Sequence, residues 1–322
     1  MKTIMHQKYG SPDVLHLVEA ETPVPQEHEV VIQLYATTAT AVDCAFRQGN
    51  PPVARLFTGL MRPKRPILGS VVAGEIMAVG SKVSRFKPGD RVYGEGHSTY
   101  AEYVCLPESA GLMILPADVR YEEAAAIPYG ALTALPCLRD SGKVQKGQHI
   151  LINGASGAIG TCAVQLAKYY GATVTGVCST DNLALVKSLG ADKVIDYTAE
   201  DFTDKTQAYD MIFDVAGKSS FARSEKALKP HGTYLTIVSS PAIIFQQMWT
   251  SKLGNVKAML ALTGLRPAAE RLKDLAFITE LLDAGALKAV IDRSYSLEQI
   301  VDAHRYLEAG HKRGSVVITI RA

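Results

Sequence analysis

The sequence predicts an α/β protein in which a doubly wound parallel sheet follows a β-rich first part, and three observations support this class. Strand-like and helix-like segments alternate from residue 126 to about residue 240, and each right-handed crossover between parallel strands needs a helix. A glycine-rich turn follows the first of these strands. With 322 residues the chain exceeds the size at which one core usually suffices, so two domains are expected.

The β-rich first part reaches to about residue 125 and contains short strand-like segments separated by proline and glycine, such as EVVIQLYATTA and YAEYVCLP. Beyond Ser240 the apolar residues have no clean period, and we interpret this stretch as a mobile or substrate-facing segment. Apolar residues at helical spacing then predict a helix from Leu272 to Leu282. Ser296 and Gln299 fit the capping box of another helix, and SVVITI reads as a last strand.

Composition and charge favour a globular protein that acts on small molecules. The net charge is only +2, which gives no electrostatic reason to expect nucleic acid or an anionic membrane as partner. The N-terminal residues lack the continuous apolar core of a signal peptide. The most apolar stretch, from Ala124, is interrupted by Pro128, Gly130 and Pro136 and is shorter than the ~20 residues that span a bilayer. We therefore expect a cytoplasmic protein.

The cysteines predict neither disulfides nor a metal centre. They are odd in number, far apart in the chain and without a CxxC spacing. We interpret them as small core thiols. The five are Cys44, Cys105, Cys137, Cys162 and Cys178.

The glycine-rich turn predicts a phosphate site. A strand ending at Asn153 leads into Gly154 and Gly157, and a helix is predicted from about Ala158 to Tyr170. Free backbone N–H groups and the helix dipole then meet at one point, which suits a pyrophosphate. Gly160, the third glycine, would let the helix lie against the sheet. The alternative is a tight strand-to-helix turn that binds nothing.

The end of the second strand bears on which dinucleotide binds. A site for NAD normally has Asp or Glu there, bonded to the ribose 2′-OH, whereas this strand ends at Cys178 and is followed by Ser and Thr. A neutral, hydroxyl-rich end favours the 2′-phosphate of NADP(H) over NAD(H). Asp181, three residues later, argues against this preference, and its other interpretation is the N-cap of the next helix.

Several sequence blocks together resemble the zinc-independent members of the medium-chain dehydrogenase/reductase superfamily, closest to the quinone oxidoreductases of the zeta-crystallin type. The similarity covers nearly the whole chain. Besides the glycine segment, the blocks are RPILGSVVAGEIMAVGSKVSRFKPGDRVYG, YAEYVCLP, AIPYGALTAL, YDMIFDVAG, LKPHGTYLTI and GHKRGSVVI.

The resemblance implies a Rossmann doubly wound parallel sheet inserted in a GroES-like, partly open β-barrel catalytic domain. Residues 1–125 and 262–322 would form the catalytic domain, and residues 126–261 the NADP(H)-binding domain. The implied reaction is hydride transfer from NADPH to a quinone or an α,β-unsaturated carbonyl, without a metal. Two alternatives stay open, an enoyl-thioester reductase and a nucleotide-binding, crystallin-like protein with little turnover.

Zinc is not expected, because the positions that match the zinc ligands of zinc-dependent relatives are Thr40, Ser70 and Tyr129, and none of these is a good zinc ligand. Tyr129 is the first candidate for a donor to the developing oxyanion. The alternative is an aromatic wall with its hydroxyl in water. Thr40 and Asp43 occupy the family's Asn-x-x-Asp pattern without its Asn. Asp43 could also bond Arg47 or a backbone amide.

The resemblance also assigns cofactor contacts, which fall in the phosphate turn, at the adenosine ribose, at the ends of two later strands and, for Thr133, near the nicotinamide. They are Thr133, Gly154, Ser156, Gly157, Ala158, Ile159, Ser179, Tyr197, Val215, Gly217, Val238 and Ser239. A homodimer is expected as well, because the apolar strand GTYLTIV would leave an unpaired sheet edge in a monomer.

Overall fold

The computed structural model describes residues 1–50, 55–310 and 312–321 and divides into two compact units. The first unit comprises Met1–Tyr129, Arg271–Asp283 and Lys288–Ala322. The second comprises Gly130–Glu270 and Ala284–Leu287, so the chain leaves the first unit, builds most of the second and returns.

The strands of the first unit are β1 (Lys2–Met5), β2 (His16–Glu19), β3 (Glu29–Ala39), β4 (Val71–Val79), β5 (Arg91–Glu95), β6 (Tyr103–Pro107), β7 (Leu112–Ile114), and, after the second unit, β14 (Ile291–Ser296) and β15 (Ser315–Thr319). Those of the second unit are β8 (His149–Asn153), β9 (Thr173–Cys178), β10 (Lys193–Asp196), β11 (Tyr209–Asp214), β12 (Leu228–Thr236) and β13 (Lys257–Leu260).

The α-helices, in chain order, are α1 (Ala41–Gln48), α2 (Arg55–Thr58), α3 (Tyr121–Ala126), α4 (Pro128–Pro136), α5 (Ala158–Tyr169), α6 (Leu183–Ser188), α7 (Phe221–Ser224), α8 (Pro241–Leu253), α9 (Ala268–Asp283) and α10 (Ile300–Glu308).

The first unit is built on a seven-stranded sheet. Its strand order is β14-β15-β3-β4-β5-β7, with β6 paired to β3. All of these pairs are antiparallel except β14 with β15. The long strand β3 contacts three neighbours and is almost wholly buried, which explains why its sequence is apolar on both faces. The β-rich first part is therefore confirmed.

The second unit is a six-stranded parallel sheet in the order β10-β9-β8-β11-β12-β13. The chain works outward from β8 to one edge and then from β11 to the other, so the direction of winding switches between these two strands. Ligands of such sheets bind outside the carboxyl ends of the strands at this switch point. The predicted doubly wound sheet is confirmed.

The stretch after Ser240, for which the sequence showed no clean period, begins with helix α8; its interpretation as a mobile or substrate-facing segment stays a prediction. The Ser240 hydroxyl accepts a hydrogen bond from the Ile243 N–H at 3.3 Å, and Pro241 occupies the first helical position, where it loses no hydrogen bond. The period is obscured because apolar side chains lie on both sides of the helix: Ile243 is buried, whereas Phe245 and Met248 are exposed.

The prediction that the strand GTYLTIV forms an apolar edge of the sheet is wrong. Most of this segment belongs to β12, which lies between β11 and β13. The edge strand is β13, and α8 covers its outward N–H groups. The Ala258 N–H donates to Thr250 Oγ1 at 3.0 Å, and the Leu260 N–H donates to Gln247 Oε1 at 2.8 Å. An edge whose donors are satisfied within the chain is a poor template for pairing with another strand.

Two helices near the end of the chain follow the sequence predictions. The helix expected from Leu272 to Leu282 is contained in α9. The capping box of Ser296 and Gln299 is present, although it caps a short 3₁₀ turn, Leu297–Gln299, from which α10 continues. Among the described residues, none of the helices has both the length and the apolar composition needed to cross a membrane.

Candidate nucleotide and reaction site

The turn between β8 and α5 has the backbone that a phosphate site requires. Gly154 has φ +89°, a left-handed conformation that side chains other than glycine rarely adopt, and its N–H bonds the Val177 carbonyl at 3.1 Å. An added Cβ at Gly157 would find only the Gly154 carbonyl oxygen, at 3.6 Å, so the space in front of this residue is open. A ligand can therefore approach the backbone at Gly157.

Helix α5 begins directly behind this open position. Gly157 is its N-cap, and the first intrahelical bond runs from the Thr161 N–H to the Gly157 carbonyl at 2.8 Å. The N–H groups of Ala158, Ile159 and Gly160 consequently lack partners within the helix. Together with the helix dipole they form a donor set that suits the pyrophosphate of a dinucleotide.

Gly160 has the predicted packing role. A Cβ at this position would lie 2.1 Å from the Gly154 carbonyl oxygen and 2.8 Å from backbone atoms of Ala155. Only glycine allows the first turn of α5 to lie this close to the loop. The three glycines thus differ in their surroundings: Gly154 has a left-handed backbone, Gly157 faces open space, and Gly160 packs closely against the loop.

Asn182 connects the phosphate turn to the end of β9, and sequence reasoning missed it. Its Nδ2 donates to Ser156 Oγ at 3.3 Å and to Ser179 Oγ at 3.0 Å. Because each serine oxygen accepts from the amide, each hydroxyl hydrogen stays available to donate to a phosphate or ribose oxygen. Asn182 is buried and is the N-cap of α6. The interpretation of Asp181 as that N-cap is therefore wrong, since Asp181 lies inside the preceding 3₁₀ turn.

Tyr197, predicted to lie near the adenosine ribose, is placed beside the end of β9. Its N–H donates to the Cys178 carbonyl at 3.1 Å, while its side chain is exposed. Asp196 accepts from Thr180 Oγ1 at 2.5 Å and from Thr198, and these hydrogen bonds lower the pKa of its carboxyl group. The exposed end of β9 and β10 therefore presents hydroxyl groups together with the carboxylates of Asp181 and Asp196.

A buried carboxylate organises the carboxyl ends of β8, β11 and β12. Asp214 accepts from Asn153 Nδ2 at 2.9 Å, from the Gly217 and Ser219 N–H groups at 3.0 Å each and from the Tyr234 hydroxyl at 2.8 Å. Four donors stabilise the charge of this fully buried group. Sequence reasoning passed over Asp214, although it is the polar residue that ends an apolar strand.

The remaining predicted cofactor residues lie around this network. The Val215 N–H bonds the Asn153 carbonyl at 3.0 Å. A Cβ on Gly217, which has φ +63°, would lie 2.7 Å from a methyl group of Val238, so these two positions are in contact. Ser239 follows and is exposed. Beside them lies a cavity of about 240 Å³ whose lining includes Asp214, Gly217, Val238, Ser240 and Gln246.

Thr133 is placed by helix α4. A Cβ at Gly130 would lie 2.3 Å from the Ala158 carbonyl oxygen, so α4 packs tightly against the start of α5. Thr133 lies one turn further along α4 and is half-buried. The nicotinamide contact assigned to Thr133 stays a prediction.

In the first unit, Thr40 and Asp43 form the N-terminal capping box of α1. The Thr40 N–H and hydroxyl donate to Asp43 Oδ2 at 2.9 and 2.6 Å, and the Asp43 N–H donates to Thr40 Oγ1 at 3.2 Å. The Gly69 N–H donates to Asp43 Oδ1 at 3.2 Å. Both residues are buried, and the Thr40 hydroxyl hydrogen is directed to Asp43.

Of the alternatives left open for Asp43, the structure shows the backbone amides. Arg47 bonds elsewhere: its Nη1 donates to the Gly10 carbonyl at 2.9 Å and its Nη2 forms an ion pair with Glu308. Burial raises the pKa of the Asp43 carboxyl group, and the bonds from Thr40 and Gly69 oppose that shift. Because all of its neighbours in these bonds are donors, the carboxylate form is the one that fits.

Tyr129, the second residue of α4, is half-buried. Burial, followed by the charges of Asp43 and Cys44, raises the pKa of its hydroxyl to about 12. The phenol is therefore protonated at neutral pH and can donate a hydrogen bond.

Two family models match the chain. Residues 26–117 match the alcohol dehydrogenase GroES-like domain, and residues 189–318 match the zinc-binding dehydrogenase family. Among curated proteins, the chain is 34% identical to a 2-methylene-furan-3-one reductase of Solanum lycopersicum, over 99% of this chain and 79% of that one. It is 33% identical to a chloroplast envelope quinone oxidoreductase homolog of Arabidopsis thaliana, over 99% and 98%.

Solved structures agree with these matches. The quinone oxidoreductase from Coxiella burnetii superposes with a TM-score of 0.86 at 30% identity, covering 100% of this chain and 99% of that one. A mycobacterial protein solved in complex with NADPH superposes with a TM-score of 0.84 at 26% identity, covering 99% and 100%.

The fold and these relatives define a medium-chain dehydrogenase/reductase with a GroES-like domain and a Rossmann domain. Within that superfamily, the chain belongs to the quinone oxidoreductase family. The resemblance inferred from the sequence blocks is confirmed.

One of the matching family models is named for zinc binding, but the residues of this chain do not suit a zinc ion. The positions matching the ligands of zinc-dependent relatives are Thr40, Ser70 and Tyr129, none of which offers the thiolate, imidazole or carboxylate that zinc prefers. Across residues 1–50, 55–310 and 312–321, no group of three or more His, Cys, Asp or Glu side chains is placed to hold a metal ion. We therefore derive no step through zinc.

Proposed function

We propose that this protein is an NADPH-dependent reductase of quinones or α,β-unsaturated carbonyls. The observation that carries the proposal is the open backbone at Gly157 in front of the α5 N-terminus, at the switch point of a parallel sheet. The names of the tomato and Arabidopsis relatives, an enone reductase and a quinone oxidoreductase homolog, support the substrate class.

In this proposal the second unit holds the nucleotide through backbone and hydroxyl donors. The pyrophosphate lies in front of Gly157, against the N–H groups of Ala158 and Ile159. The hydroxyls of Ser156 and Ser179, oriented by Asn182, donate to the adenosine half. Thr133, Tyr197, Val215, Gly217, Val238 and Ser239 complete the contacts.

When bound, the nucleotide supplies a hydride. Tyr129 donates a hydrogen bond to the acceptor oxygen, on which negative charge develops as the hydride arrives. Its raised pKa keeps this donor protonated over the working range of pH. With a proton from the solvent, the product is a hydroquinone or a saturated carbonyl. Thr40 and Asp43, which cap the start of α1, are proposed to belong to the same reduction site.

Conversion of Tyr129 to Phe tests this role. We expect kcat to fall by about 100-fold, the usual effect of losing one oxyanion donor, with little change in the Kd for NADPH. The control is Tyr121→Phe, a tyrosine of the same unit that stacks on Tyr35. Purified protein is mixed with NADPH and, in turn, a quinone, a 2-alkenone and an enoyl thioester, and nicotinamide absorbance is followed.

The substrate panel also decides between the proposal and its alternatives. Turnover confined to the enoyl thioester would make the protein an enoyl-thioester reductase. Nucleotide binding without turnover of any acceptor would favour the crystallin-like alternative. Equal rates for the wild type and Tyr129→Phe on a quinone or enone would exclude Tyr129 as the donor while leaving the reductase activity itself established.

We further propose that NADPH is preferred to NADH. Two observations support this preference: β9 ends at the neutral residue Cys178, and the mycobacterial structural relative was solved in complex with NADPH. The carboxylate of Asp181 opposes the 2′-phosphate, so Asp181→Arg is expected to lower KM for NADPH about tenfold and to leave KM for NADH unchanged. Lys187→Arg, a charge-conserving change on α6, is the control. A wild type that uses NADH at lower KM than NADPH would contradict the preference.

A homodimer is also proposed, and helix α8 supplies its interface in place of the sheet edge predicted from the sequence. Ile244, Phe245, Met248 and Trp249 recur at i, i+1, i+4 and i+5, which places them on one side of the helix, and each is at least half exposed. Contiguous exposed apolar side chains mark interaction surfaces, and an apolar stripe can pair with its own copy.

The cytoplasmic location expected from the N-terminal sequence stays a prediction. The Arabidopsis relative is named for the chloroplast envelope. Fractionation of cells that produce the protein with a C-terminal tag would decide it: recovery in the cytosolic fraction agrees with the prediction, and recovery with an organelle contradicts it.

A further inference from the structure

The charges of the first unit are unevenly distributed along the chain. Between Asp43 and Glu75 the sequence has five cationic residues and no acidic one, although the net charge of the whole chain is only +2. Arg47 is buried in an ion pair, and Arg55 donates to carbonyl groups at the end of α1. We call residues 55–65 the basic loop. Its other three cations are exposed, and no described carboxylate lies within ion-pair distance of them: Arg62, Lys64 and Arg65.

The basic loop folds back on itself after α2. The Lys64 N–H donates to the Thr58 carbonyl at 2.7 Å, which closes the loop at its base. Gly59 makes the first bend with φ +122°, and an added Cβ there would lie 2.0 Å from the Arg62 carbonyl oxygen. Residues 59–63 therefore form a tight turn that requires glycine at its first position.

The base of the basic loop is anchored to the N-terminal segment. The Tyr9 hydroxyl donates to the Gly59 carbonyl at 2.6 Å, and its oxygen lies 2.9 Å from Thr58 Oγ1. The Arg55 guanidinium lies over the Tyr9 ring, 4.7 Å from its centroid, and Arg55 Nε donates to the Gly49 carbonyl at 3.0 Å. These contacts hold the base of the loop, so its tip is presented in a defined conformation.

Large apolar side chains of this segment are exposed to solvent. Met61 is 88% exposed, Leu60 69% and Leu56, on α2, 64%. Isolated apolar residues are ordinary on a protein surface. Here three of them occur within six positions and are followed directly by the three exposed cations, so one short segment combines both kinds of side chain.

We propose that the basic loop docks this protein on the surface of an anionic lipid bilayer. Leu60 and Met61 enter the boundary between headgroups and acyl chains, and the three exposed cations lie at the level of the lipid phosphates. Apolar insertion and electrostatic attraction add to each other in such a contact. Neither the nucleotide site nor the proposed reduction uses this loop, so the inference goes beyond the proposed function.

The low net charge of the whole chain does not oppose this contact. Charges are screened over about 10 Å at 0.1 M salt, so a bilayer responds to the cations that reach its surface and not to the sum over the molecule. Each Lys or Arg near an anionic membrane raises the affinity by about fivefold. Three such cations correspond to about 100-fold, which is enough to distinguish an anionic from a neutral bilayer.

Lipid fits the basic loop better than nucleic acid does. The phosphates of DNA or RNA would attract the same cations, but single strands are held by stacking on aromatic rings and double strands by polar side chains that reach base edges. The tip of the loop presents the aliphatic side chains of Leu60 and Met61 instead. These side chains gain free energy only where other apolar groups cover them.

Sedimentation with vesicles tests the proposal on the full chain, without NADPH or an acceptor. We expect the wild type to bind vesicles of about two-thirds phosphatidylcholine and one-third phosphatidylglycerol and not to bind pure phosphatidylcholine vesicles. Binding should weaken as salt rises from about 0.05 to 0.5 M. Arg62→Gln and Lys64→Gln should each weaken it about fivefold, and Met61→Gln about tenfold.

Lys87→Gln and Val24→Gln are the matched controls. They remove an exposed cation and an apolar side chain that is 82% exposed from other parts of the first unit. Both should bind as the wild type does. The proposal would be overturned by a wild type that binds no anionic vesicle or binds pure phosphatidylcholine equally well. Equal losses in the loop variants and in the controls would overturn it too.

A tryptophan at the tip shows which surface touches the lipid. The fluorescence of Met61→Trp should be quenched by anionic vesicles whose acyl chains carry bromine. In the wild type the single tryptophan is Trp249, on α8, and it should not be quenched. Quenching of Trp249 would place α8 on the bilayer in place of the basic loop and would overturn the proposal.

The same variants decide between lipid and the other occupants of the basic loop. If duplex DNA competes with the vesicles and Met61→Gln binds them as the wild type does, the cations serve nucleic acid. If light scattering shows a lower molar mass for Met61→Gln than for the wild type, the loop lies between two copies of the chain. Either result would overturn the proposal, and neither depends on whether the protein reduces a quinone or an enone.

Discussion

At the scale of single residues, Asp43 is the side chain on which most of the first unit's candidate site depends. It is buried and accepts from Thr40 and Gly69. A buried carboxylate is costly unless donors surround it, and each donor here belongs to a different part of the unit or to the helix cap. Asp43 thereby joins the cap of α1 to the segment before β4.

Replacement of Asp43 by Asn removes the negative charge of the side chain while nearly keeping its size and shape. The amide must present its NH₂ group to Thr40 or to Gly69, both of which are donors, so one hydrogen bond becomes a repulsive contact. We expect a loss of about 1–3 kcal/mol in the free energy of unfolding and a fall in kcat. Urea denaturation measures the first quantity. Asp302→Asn, at an exposed carboxylate of α10, should change stability by less than about 0.5 kcal/mol; an equal loss in both variants would contradict the argument.

His304 makes a separate contribution to stability at low pH. Its pKa falls from an ordinary value of 6.5 to about 3 in the folded protein. Above pH 6.5 the ring is neutral in both the folded and the unfolded protein, so it adds no pH dependence to the free energy of unfolding. Between pH 6.5 and pH 3 only the unfolded chain takes up the proton, so folding is disfavoured as the pH falls.

The size of this effect can be measured by denaturation at two pH values. Between pH 7 and pH 5 the His304 contribution should cost about 2 kcal/mol. In His304→Gln the difference in unfolding free energy between the two pH values should shrink by that amount, whereas His16→Gln, at an exposed position, should leave it as in the wild type. An unchanged difference in His304→Gln would show that the imidazole is not buried in neutral form.

The sequence identified Thr40, Asp43 and Tyr129 as candidates because they stand in recognisable blocks. It could not identify the buried contacts of His304 with Tyr100 and Cys44, since these residues lie 204 and 260 positions away in the chain. Such pairings arise only when α10 packs against α1 and the segment before β6. Asn182 and Asp214 were missed for the same reason, because their roles depend on neighbours from other strands.

At the scale of elements, the turn from β8 into α5 was predictable because local rules determine it. A strand, three glycines and a helix in this order need no distant contact to be interpreted. Helix α8 was not predictable, because its exposed apolar side chains hide the period that marks a helix buried on one side. The edge strand β13, whose outward N–H groups donate to side chains of α8, could not be predicted for the same reason.

Two glycine-to-alanine variants in the phosphate turn should affect different properties, one the affinity for NADPH and the other the stability of the fold. Gly157 has an ordinary φ of −79° and open space in front of it, so Gly157→Ala should fold as the wild type does while its Kd for NADPH rises at least about tenfold, since the Cβ occupies the phosphate position. Gly160→Ala would force a Cβ to within 2.1 Å of a backbone oxygen and should cost about 2 kcal/mol or more of stability.

Thermal denaturation and NADPH titration of the two variants check this difference. The paired design supplies its own control, since both changes add the same methyl group to the same turn. Wild-type affinity in Gly157→Ala would mean that no phosphate approaches the backbone there, and unaltered stability in Gly160→Ala would mean that the helix can move away from the loop.

At the scale of the whole molecule, the two units divide the candidate chemistry. The second unit holds the donors suited to a dinucleotide, and the first holds Tyr129, Thr40 and Asp43. The second unit is largely one insertion into the first. How subunits associate could not be deduced in the same way, because β12 turned out to be an interior strand.

The α8 interface yields a prediction for the assembly. If two copies pair through Ile244, Phe245, Met248 and Trp249, a carboxylate placed in this stripe would be buried against its own copy, which is costly. Phe245→Glu and Trp249→Glu should therefore convert a dimer into a monomer.

Light scattering coupled to size-exclusion chromatography, at protein concentrations from about 1 to 100 μM, measures the mass of each variant. The control is Val24→Glu, which adds the same charge at an exposed apolar position of the first unit and should leave the dimer intact. Because α8 already satisfies the outward N–H groups of β13, the dimer should not depend on strand pairing between copies. A wild type that is monomeric throughout, or a dimer that survives both charged variants, would rule out the α8 stripe as the interface.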